Sequence, residues 1–378
     1  MRIGINALYL LPGGVGGTET YLRELLAWMP RIAPEHEYFA IVNRECESAA
    51  LPASPRLRLV RTGVPAASRP ARLLYEQVLV PAQARALRLD VLFNPGFTAP
   101  ALCGCPCVTT FHDLQHKRHP EYFRRFDLPA WNFFLGLSAR RSRRILAVSQ
   151  ATANDFRRFY PGVKSPIDIT PLGARDVFFS LRSPGHAPED YLLCVSTLHP
   201  HKNHVRLVRA FAKWRRESGS ATRLVLAGMR GFAAEAVERT IAECQAASFV
   251  TIMGWIGDEE LLTLCRDARA FIFPSLFEGF GIPVMEALAC GLPCAVSAIE
   301  PMQSHAGEAA LYFNPLSEDA IADAIHRILT DDALRSRLAQ AGPRQAEGFR
   351  WKRTAQLTVE SLIAAARSPV PQRQRAAI

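Results

Sequence analysis

The sequence predicts an α/β protein built of two Rossmann-like units, and three observations carry that reading. Short apolar runs rich in β-branched residues alternate with amphipathic segments of helical period along nearly the whole chain, the pattern of parallel sheets covered by helices. At 378 residues the chain is long for one hydrophobic core and sufficient for two. The alternation also breaks once, where Pro, Gly and Ser gather near residues 176–190, and then starts again. These features divide the chain into a first domain over 1–178, a second over 179–349, and a closing helix with a basic tail over 350–378.

In the first half, IGINALYL reads as a strand, followed by the glycine loop PGGVGG and the helix of TETYLRELLAWM. The start MRIGINALYLL runs straight into that loop without an A-x-A cleavage pattern, so it reads as a buried strand and not a leader. YFAIVN, LRLVRT, VLFNPG, CVTTFHD and RILAVS are further strands, TANDFRRFY is a helix, and IDITPLG closes the run. After the loop SLRSPGHAPED the pattern restarts at YLLCVSTL. LVRAFAKWRRE, AAEAVERTIAECQAA and DEELLTLCRDA are helices set between the strands TRLVLAG, FVTIMGW and AFIFPS. PVMEALACG and CAVSAI complete the second unit. DAIADAIHRILT, DDALRSRLAQAG and KRTAQLTVESLIAAA are helical, and the last is expected to cross back onto the first domain.

Composition narrows the function classes. About half of the residues are hydrophobic and 21% are charged, an ordinary globular balance. The nine cysteines, CGCPC included, stand at no metal-ligand spacing and make no disulfide framework, which implies a reducing compartment. No apolar run approaches the roughly 18 residues that a membrane span needs. The formal charge of +10 concentrates in residues 115–144, where Lys117, Arg118, Arg124, Arg125, Arg140, Arg141, Arg143 and Arg144 face only Glu121 and Asp127, interleaved with aromatic residues. Such a segment suits a solvated helix face, an anionic bilayer surface or an anionic acceptor; nucleic acid fits it less well.

The stretch from Ala270 to Ser297, AFIFPSLFEGFGIPVMEALACGLPCAVS, holds the most chemistry. A buried strand ends at Pro274, a loop carries Gly279 and Gly281, Pro283 suits the start of a helix, and Gly291 suits its end. Backbone N–H groups and a helix N-terminus are thereby delivered to the carboxyl ends of strands, where an anion is stabilised and where open α/β sheets bind ligands. Glu278 and Glu286 flank this turn. Paired carboxylates suit a glycosidase, but in a phosphate-binding loop they suit hydrogen bonds to the vicinal hydroxyls of a sugar or ribose.

E-x7-E within PSLFEGFGIPVMEALACGLP resembles the signature of retaining glycosyltransferases of family GT4, which have the GT-B fold: two facing Rossmann-like domains with a C-terminal crossover helix. The resemblance implies that Glu278 contacts the transferred sugar, that Glu286 holds the nucleotide ribose, and that the backbone of Phe280, Gly281 and Ile282 faces sugar and phosphates. GGVGGTETY resembles the family's glycine loop after the first strand, which puts Gly16 and Gly17 near the donor; Glu19 excludes a dinucleotide fingerprint. FHDL resembles the segment whose histidine, here His112, lies beside the transferred sugar. AVSQATANDF resembles a further family segment, with Ser149 as a candidate. STLHPHKNHVRLVRAF resembles the strand–loop–helix that carries a phosphate-binding lysine, which implies Lys202 on the diphosphate with Thr197 and Asn203 beside it. His199, His201 and His204 crowd the same loop without an interleaved carboxylate, so no metal site is expected there.

The chain departs from the family where Ser196 and Thr197 replace a Gly-Arg pair, where His201 precedes the lysine, and where Gln303 and Ser304 replace a Pro-Glu. No D-x-D occurs, so the resemblance implies a transfer with no metal and no cofactor, only a GDP- or UDP-linked sugar as co-substrate. It further implies a hexosyltransferase, mannose first, that acts on a glycan or lipid-phosphate-linked glycan in bacterial surface polysaccharide synthesis. The expected place is the cytoplasm, peripheral at the inner face of the membrane. A nucleotide-sugar epimerase or hydrolase of the same fold, and a non-catalytic nucleotide-sugar-binding subunit, are the alternatives.

Overall fold

The computed structural model describes residues 1–11, 16–46, 51–181 and 187–367. Gly13 and Gly14 of the glycine loop, part of the SLRSPGHAPED loop and the basic tail after Arg367 lie outside the described residues. The chain divides into two compact units: Met1–Leu172 together with the segment from Trp351, and Gly173–Arg350. The division thus precedes the Pro- and Gly-rich stretch that suggested a boundary at 178. The cause is local pairing: Ala174 N–H donates to the Phe349 carbonyl at 2.9 Å, and Arg350 Nη1 to Asp176 at 2.8 Å, which ties residues 173–180 to the second unit.

The first unit holds a parallel sheet of β1 (Arg2–Ala7), β2 (Glu37–Val42), β3 (Leu57–Arg61), β4 (Val91–Asn94), β5 (Cys107–Phe111), β6 (Arg144–Ala147) and β7 (Ile167–Ile169). Their spatial order is β3-β2-β1-β4-β5-β6-β7. β1, β4 and β5 are buried on both faces, which is why they read as continuous apolar runs and not as alternating ones. Helix Arg69–Ala86 has no counterpart in the sequence reading. Pro70 at its start and Pro81 inside it disguise the helical period. The basic segment forms the short helix Gln115–Arg118 and the helix Leu128–Arg141.

Helix Trp351–Arg367 completes this unit and packs on helix Gly17–Ile32. Trp351, Ala355, Leu362 and Ala365 are fully buried, and each large apolar side chain contributes roughly 1.5–3 kcal/mol of burial. Polar ties fix its register. Thr354 Oγ1 donates to the Pro171 carbonyl at 2.6 Å, and Ser361 joins the Arg144–Asp168 pair, in which two N–H donors each lie 2.7 Å from a carboxylate oxygen.

The second unit holds β8 (Tyr191–Val195), β9 (Arg223–Ala227), β10 (Val250–Gly254), β11 (Ala270–Phe273), β12 (Cys294–Ser297) and β13 (Ala310–Phe313) in the parallel order β10-β9-β8-β11-β12-β13. Each sheet reverses its strand order once, between β1 and β4 in the first unit and between β8 and β11 in the second. At such a point the loops leaving neighbouring strands turn to opposite faces and open a crevice for ligands.

Candidate functional site

In the second unit, the loops that leave β8 and β11 carry most of the residues singled out in the sequence. After β8 the chain makes a short turn, Pro200–Lys202, and enters helix His204–Ser218 through Asn203 at φ 62°, a left-handed conformation that asparagine tolerates better than most residues. The Asn203 amide donates to the Pro274 carbonyl at 3.0 Å and the Pro315 carbonyl at 2.8 Å, and its oxygen accepts from Arg206 at 2.6 Å. These contacts make it a bracket between the two loops. The Leu276 N–H donates to the His201 carbonyl at 2.7 Å and adds a second tie. Held in this way, Lys202 Nζ lies 2.5 Å from Glu278 Oε1, with both side chains largely buried. Thr197 is half-buried, and its carbonyl accepts from the His199 N–H at 2.7 Å.

The β11 loop turns through Gly281 at φ 95°. A Cβ there would stand 2.4 Å from Met302 Cε, so this position needs glycine both for its backbone angle and for its space. Gly281 starts helix Ile282–Ala289, with Pro283 in the first turn. The Phe280 ring packs 4.5 Å from His305, whose Nδ1 donates to the Phe280 carbonyl at 3.2 Å. The ring therefore anchors the loop, and only the backbone from Phe280 to Ile282 remains to meet a ligand.

Glu286 lies in that helix, buried, and is not alone. Arg175 Nε donates to its Oε1 at 2.6 Å, while Arg175 Nη1 donates to Asp258 at 2.7 Å. Burial pushes the Glu286 carboxyl above its ordinary pKa, and the guanidinium opposes that rise. Burial would weaken the Arg175 cation, but its two carboxylate partners prevail and hold it more firmly protonated. Arg175 is the residue that sequence reasoning missed, since no motif marks it. A buried charge pair with one member inside a ligand motif is its signature in the structure.

The first unit carries the other candidates. Gly16 at φ 58° and Gly17, both exposed, open helix Gly17–Ile32. Tyr21 on that helix bonds Thr110 Oγ1 at 2.9 Å and sets its ring edge-on to His112 at 4.8 Å. His112 Nε2 donates to the Pro95 carbonyl at 2.8 Å. Burial lowers its pKa to about 4 against the small opposing effect of that carbonyl, so the ring is neutral near pH 7. Because Nε2 holds the proton, Nδ1 is left as an acceptor for a hydroxyl. Ser149 is a helix cap: its hydroxyl accepts from the Thr152 N–H at 3.0 Å, a contact worth about 1 kcal/mol.

Comparison with known proteins agrees with this construction. Residues 15–175 match the family described as Glycosyltransferase Family 4, and residues 180–345 match that described as Glycosyl transferases group 1. The chain is 29% identical to the O-antigen chain mannosyltransferase B of Escherichia coli over 67% of its length and 69% of that protein. It is 27% identical to the O-antigen chain mannosyltransferase RfbU of Salmonella typhimurium over 58% of its length and 60% of that protein. Sucrose-phosphate synthase from Thermosynechococcus elongatus shares the fold, with a TM-score of 0.77 at 19% identity over 97% of this chain and all of that one.

The Arg175–Glu286 pair has a measurable consequence. Arg175→Gln leaves a buried carboxylate unpaired and should destabilise the second unit by about 3 kcal/mol at pH 7. Glu286 titrates above the ordinary range in the fold, so its carboxylate costs stability as pH rises and the guanidinium offsets that cost. The loss should therefore shrink as pH falls from 8 towards the ordinary carboxylate range, because the raised carboxyl, raised further without the guanidinium, takes up its proton in the fold before an unfolded one does. Denaturant melts of both proteins from pH 4 to 8 test this; a loss that does not vary with pH contradicts the pairing.

Proposed function

Starting from a chain that belongs to glycosyltransferase family 4 and has the GT-B fold, we propose a retaining transfer of a hexose, mannose first, from a GDP- or UDP-linked sugar to a glycan or lipid-linked glycan during bacterial surface polysaccharide synthesis. The observation that carries this reading is the Lys202–Glu278 pair in the β8/β11 crevice, at 2.5 Å and beside the N-terminus of the helix that bears Glu286. The O-antigen mannosyltransferases among the relatives support mannose and the polysaccharide context.

Donor binding exchanges one anion for another at Lys202. The diphosphate takes the ammonium and the first-turn N–H groups of helix Ile282–Ala289, and Glu278 is released to accept hydrogen bonds from the sugar hydroxyls. Glu286 receives the ribose hydroxyls in place of Arg175. The family resemblance alone assigns His112, neutral and with Nδ1 as an acceptor, to a hydroxyl of the transferred sugar. The bond from the anomeric carbon to the phosphate oxygen breaks as the bond to the acceptor oxygen forms on the same face, and the acceptor proton passes to the departing phosphate. In this scheme the leaving group's charge is met by Lys202 and the helix dipole, with no metal or cofactor.

The proposal extends to the cytoplasmic face of an anionic membrane through residues 115–144. Phe126 is 96% exposed and Phe133 63% exposed, near the exposed Arg124, Arg125, Arg140 and Arg141. This combination fits a headgroup interface. Arg118 and Arg144 are engaged by Asp155 and Asp168 and add little to it. No helix among the described residues is long and apolar enough to cross a membrane.

Two measurements test the reading. Glu278→Gln should lower kcat by at least about tenfold, the loss of one charge-assisted hydrogen bond in the transition state, while the chain remains folded; unchanged turnover on a donor–acceptor panel sinks the role. Consumption of the donor without acceptor would favour an epimerase or hydrolase, and no turnover at all a binding subunit. In flotation assays the protein should rise with anionic vesicles and not neutral ones, and Phe126→Asp should weaken that binding; equal recovery with both vesicle types removes the membrane contact.

A further inference from the structure

The β1/β4 crevice of the first unit contains a cavity that the donor chemistry leaves unused. The loops after β1 and β4 and helix Arg69–Ala86 line a small concavity open to solvent, and helix Leu128–Arg141 forms one wall. Its polar lining comprises Arg69, Arg72, Glu76, Tyr9, Asn6 and Thr98.

The two arginines are held in place but not neutralised. The Arg69 guanidinium stacks 4.0 Å over the Trp131 ring, an arrangement that fixes its plane and leaves its N–H edge available. Arg72 Nη1 donates to the Ala66 carbonyl at 3.3 Å. Among the described residues neither guanidinium has a carboxylate within ion-pair distance. Glu76, fully buried, is occupied elsewhere: it accepts from Asn6 Nδ2 at 2.8 Å, Thr98 Oγ1 at 2.8 Å and Gln77 Nε2 at 3.2 Å. Burial raises its pKa, and the hydrogen bonds from Thr98 and Asn6 oppose that rise. Burial also works against the Arg72 cation, so an anion in the pocket would relieve a standing cost.

The loop after β4 lines the pocket with Gly96 and Thr98. Between them Phe97 adopts φ 71°, a strained angle for a bulky residue. Its ring is pinned between Phe111 at 6.3 Å, His112 at 5.1 Å and Trp131 at 6.3 Å. This one residue links the pocket wall to His112. A Cβ on the neighbouring Gly96 would lie 2.5 Å from the Tyr9 ring, so the chain here closes directly onto the tyrosine.

We propose that Arg69 and Arg72, with Tyr9 and Trp131, form the acceptor subsite of this chain, and that it recognises an anionic group, a phosphate or a carboxylate, carried by the acceptor. The inference rests on the transferase reading above and deepens it. A neutral sugar would leave both guanidinium groups without a partner at ion-pair distance. A phosphate fits their forked donors, and a uronate carboxylate offers the same bidentate chemistry.

The test is calorimetric titration of inorganic pyrophosphate and, separately, of glucuronate into the full chain saturated with GDP or UDP, so that the β8/β11 crevice is already filled. The wild type should bind one of the two probes, and which one binds identifies phosphate or carboxylate as the group. Arg72→Gln should weaken that binding at least about tenfold, the effect of a lost hydrogen bond to a charged group, with the affinity for GDP or UDP unchanged and Arg72→Lys recovering part of the loss. Arg69→Gln should act in the same direction and serves if Arg72→Gln does not fold. Binding of neither probe, or equal binding by wild type and both glutamine variants, overturns the proposal. Absence of GDP and UDP binding overturns the donor reading instead, and the comparison of wild type with the arginine variants still reads the pocket.

Discussion

An ammonium and a carboxylate held 2.5 Å apart at the carboxyl ends of a parallel sheet organise the second unit. Bringing Lys202 and Glu278 together in a largely buried place costs desolvation that their attraction only partly returns, so the surrounding chain has to enforce the geometry. Asn203 does so from one side, bonding the end of β11 at Pro274 and the loop after β13 at Pro315. Gly281, pressed against Met302, does so from the other. The pair is thereby close to electrically neutral, and a ligand that brings its own negative charge can replace Glu278 without exposing Lys202 unpaired. Arg175 repeats the arrangement one helical segment away, where it partners Glu286.

Both units obey one topological rule. Each parallel sheet reverses its strand order once, and in each a set of polar residues gathers beside the reversal, on loops and on the helices next to them. In the second unit these are carboxylates and a lysine; in the first they are two arginines, a tyrosine and a buried glutamate. His112 stands at the end of β5, the next strand along, and is kept neutral by burial so that it can accept a hydrogen bond and not repel a cation. The C-terminal helix belongs to the first unit because its Trp351 and Leu362 find their burial there.

The legible parts of this structure were those whose chemistry is local. The E-x7-E segment could be read because glycine, proline and two carboxylates within one loop–helix turn each have a backbone reason to be there. Lys202 could be read from its own strand–loop–helix. Arg175 could not, because its partner Glu286 lies 111 residues away and only packing joins them. Arg69 and Arg72 were hidden for a different reason: prolines at the start and inside of their helix obscured its period. Asn203 and Ser149 show the converse limit. Both stand in segments that resemble functional ones, yet one brackets two loops and the other caps a helix. The break between units escaped composition because it was set by the hydrogen bond that Ala174 donates to Phe349 and the one that Asp176 accepts from Arg350, at the far end of the second unit.

The structure of the protein bound to a nucleoside diphosphate tests the central claim most directly. The account predicts diphosphate oxygens within hydrogen-bonding distance of Lys202 Nζ and the N–H groups at the start of helix Ile282–Ala289, ribose hydroxyls on Glu286 with Arg175 displaced, and Glu278 parted from the lysine. A nucleotide bound elsewhere, or one bound while the Lys202–Glu278 pair stays closed, would contradict it.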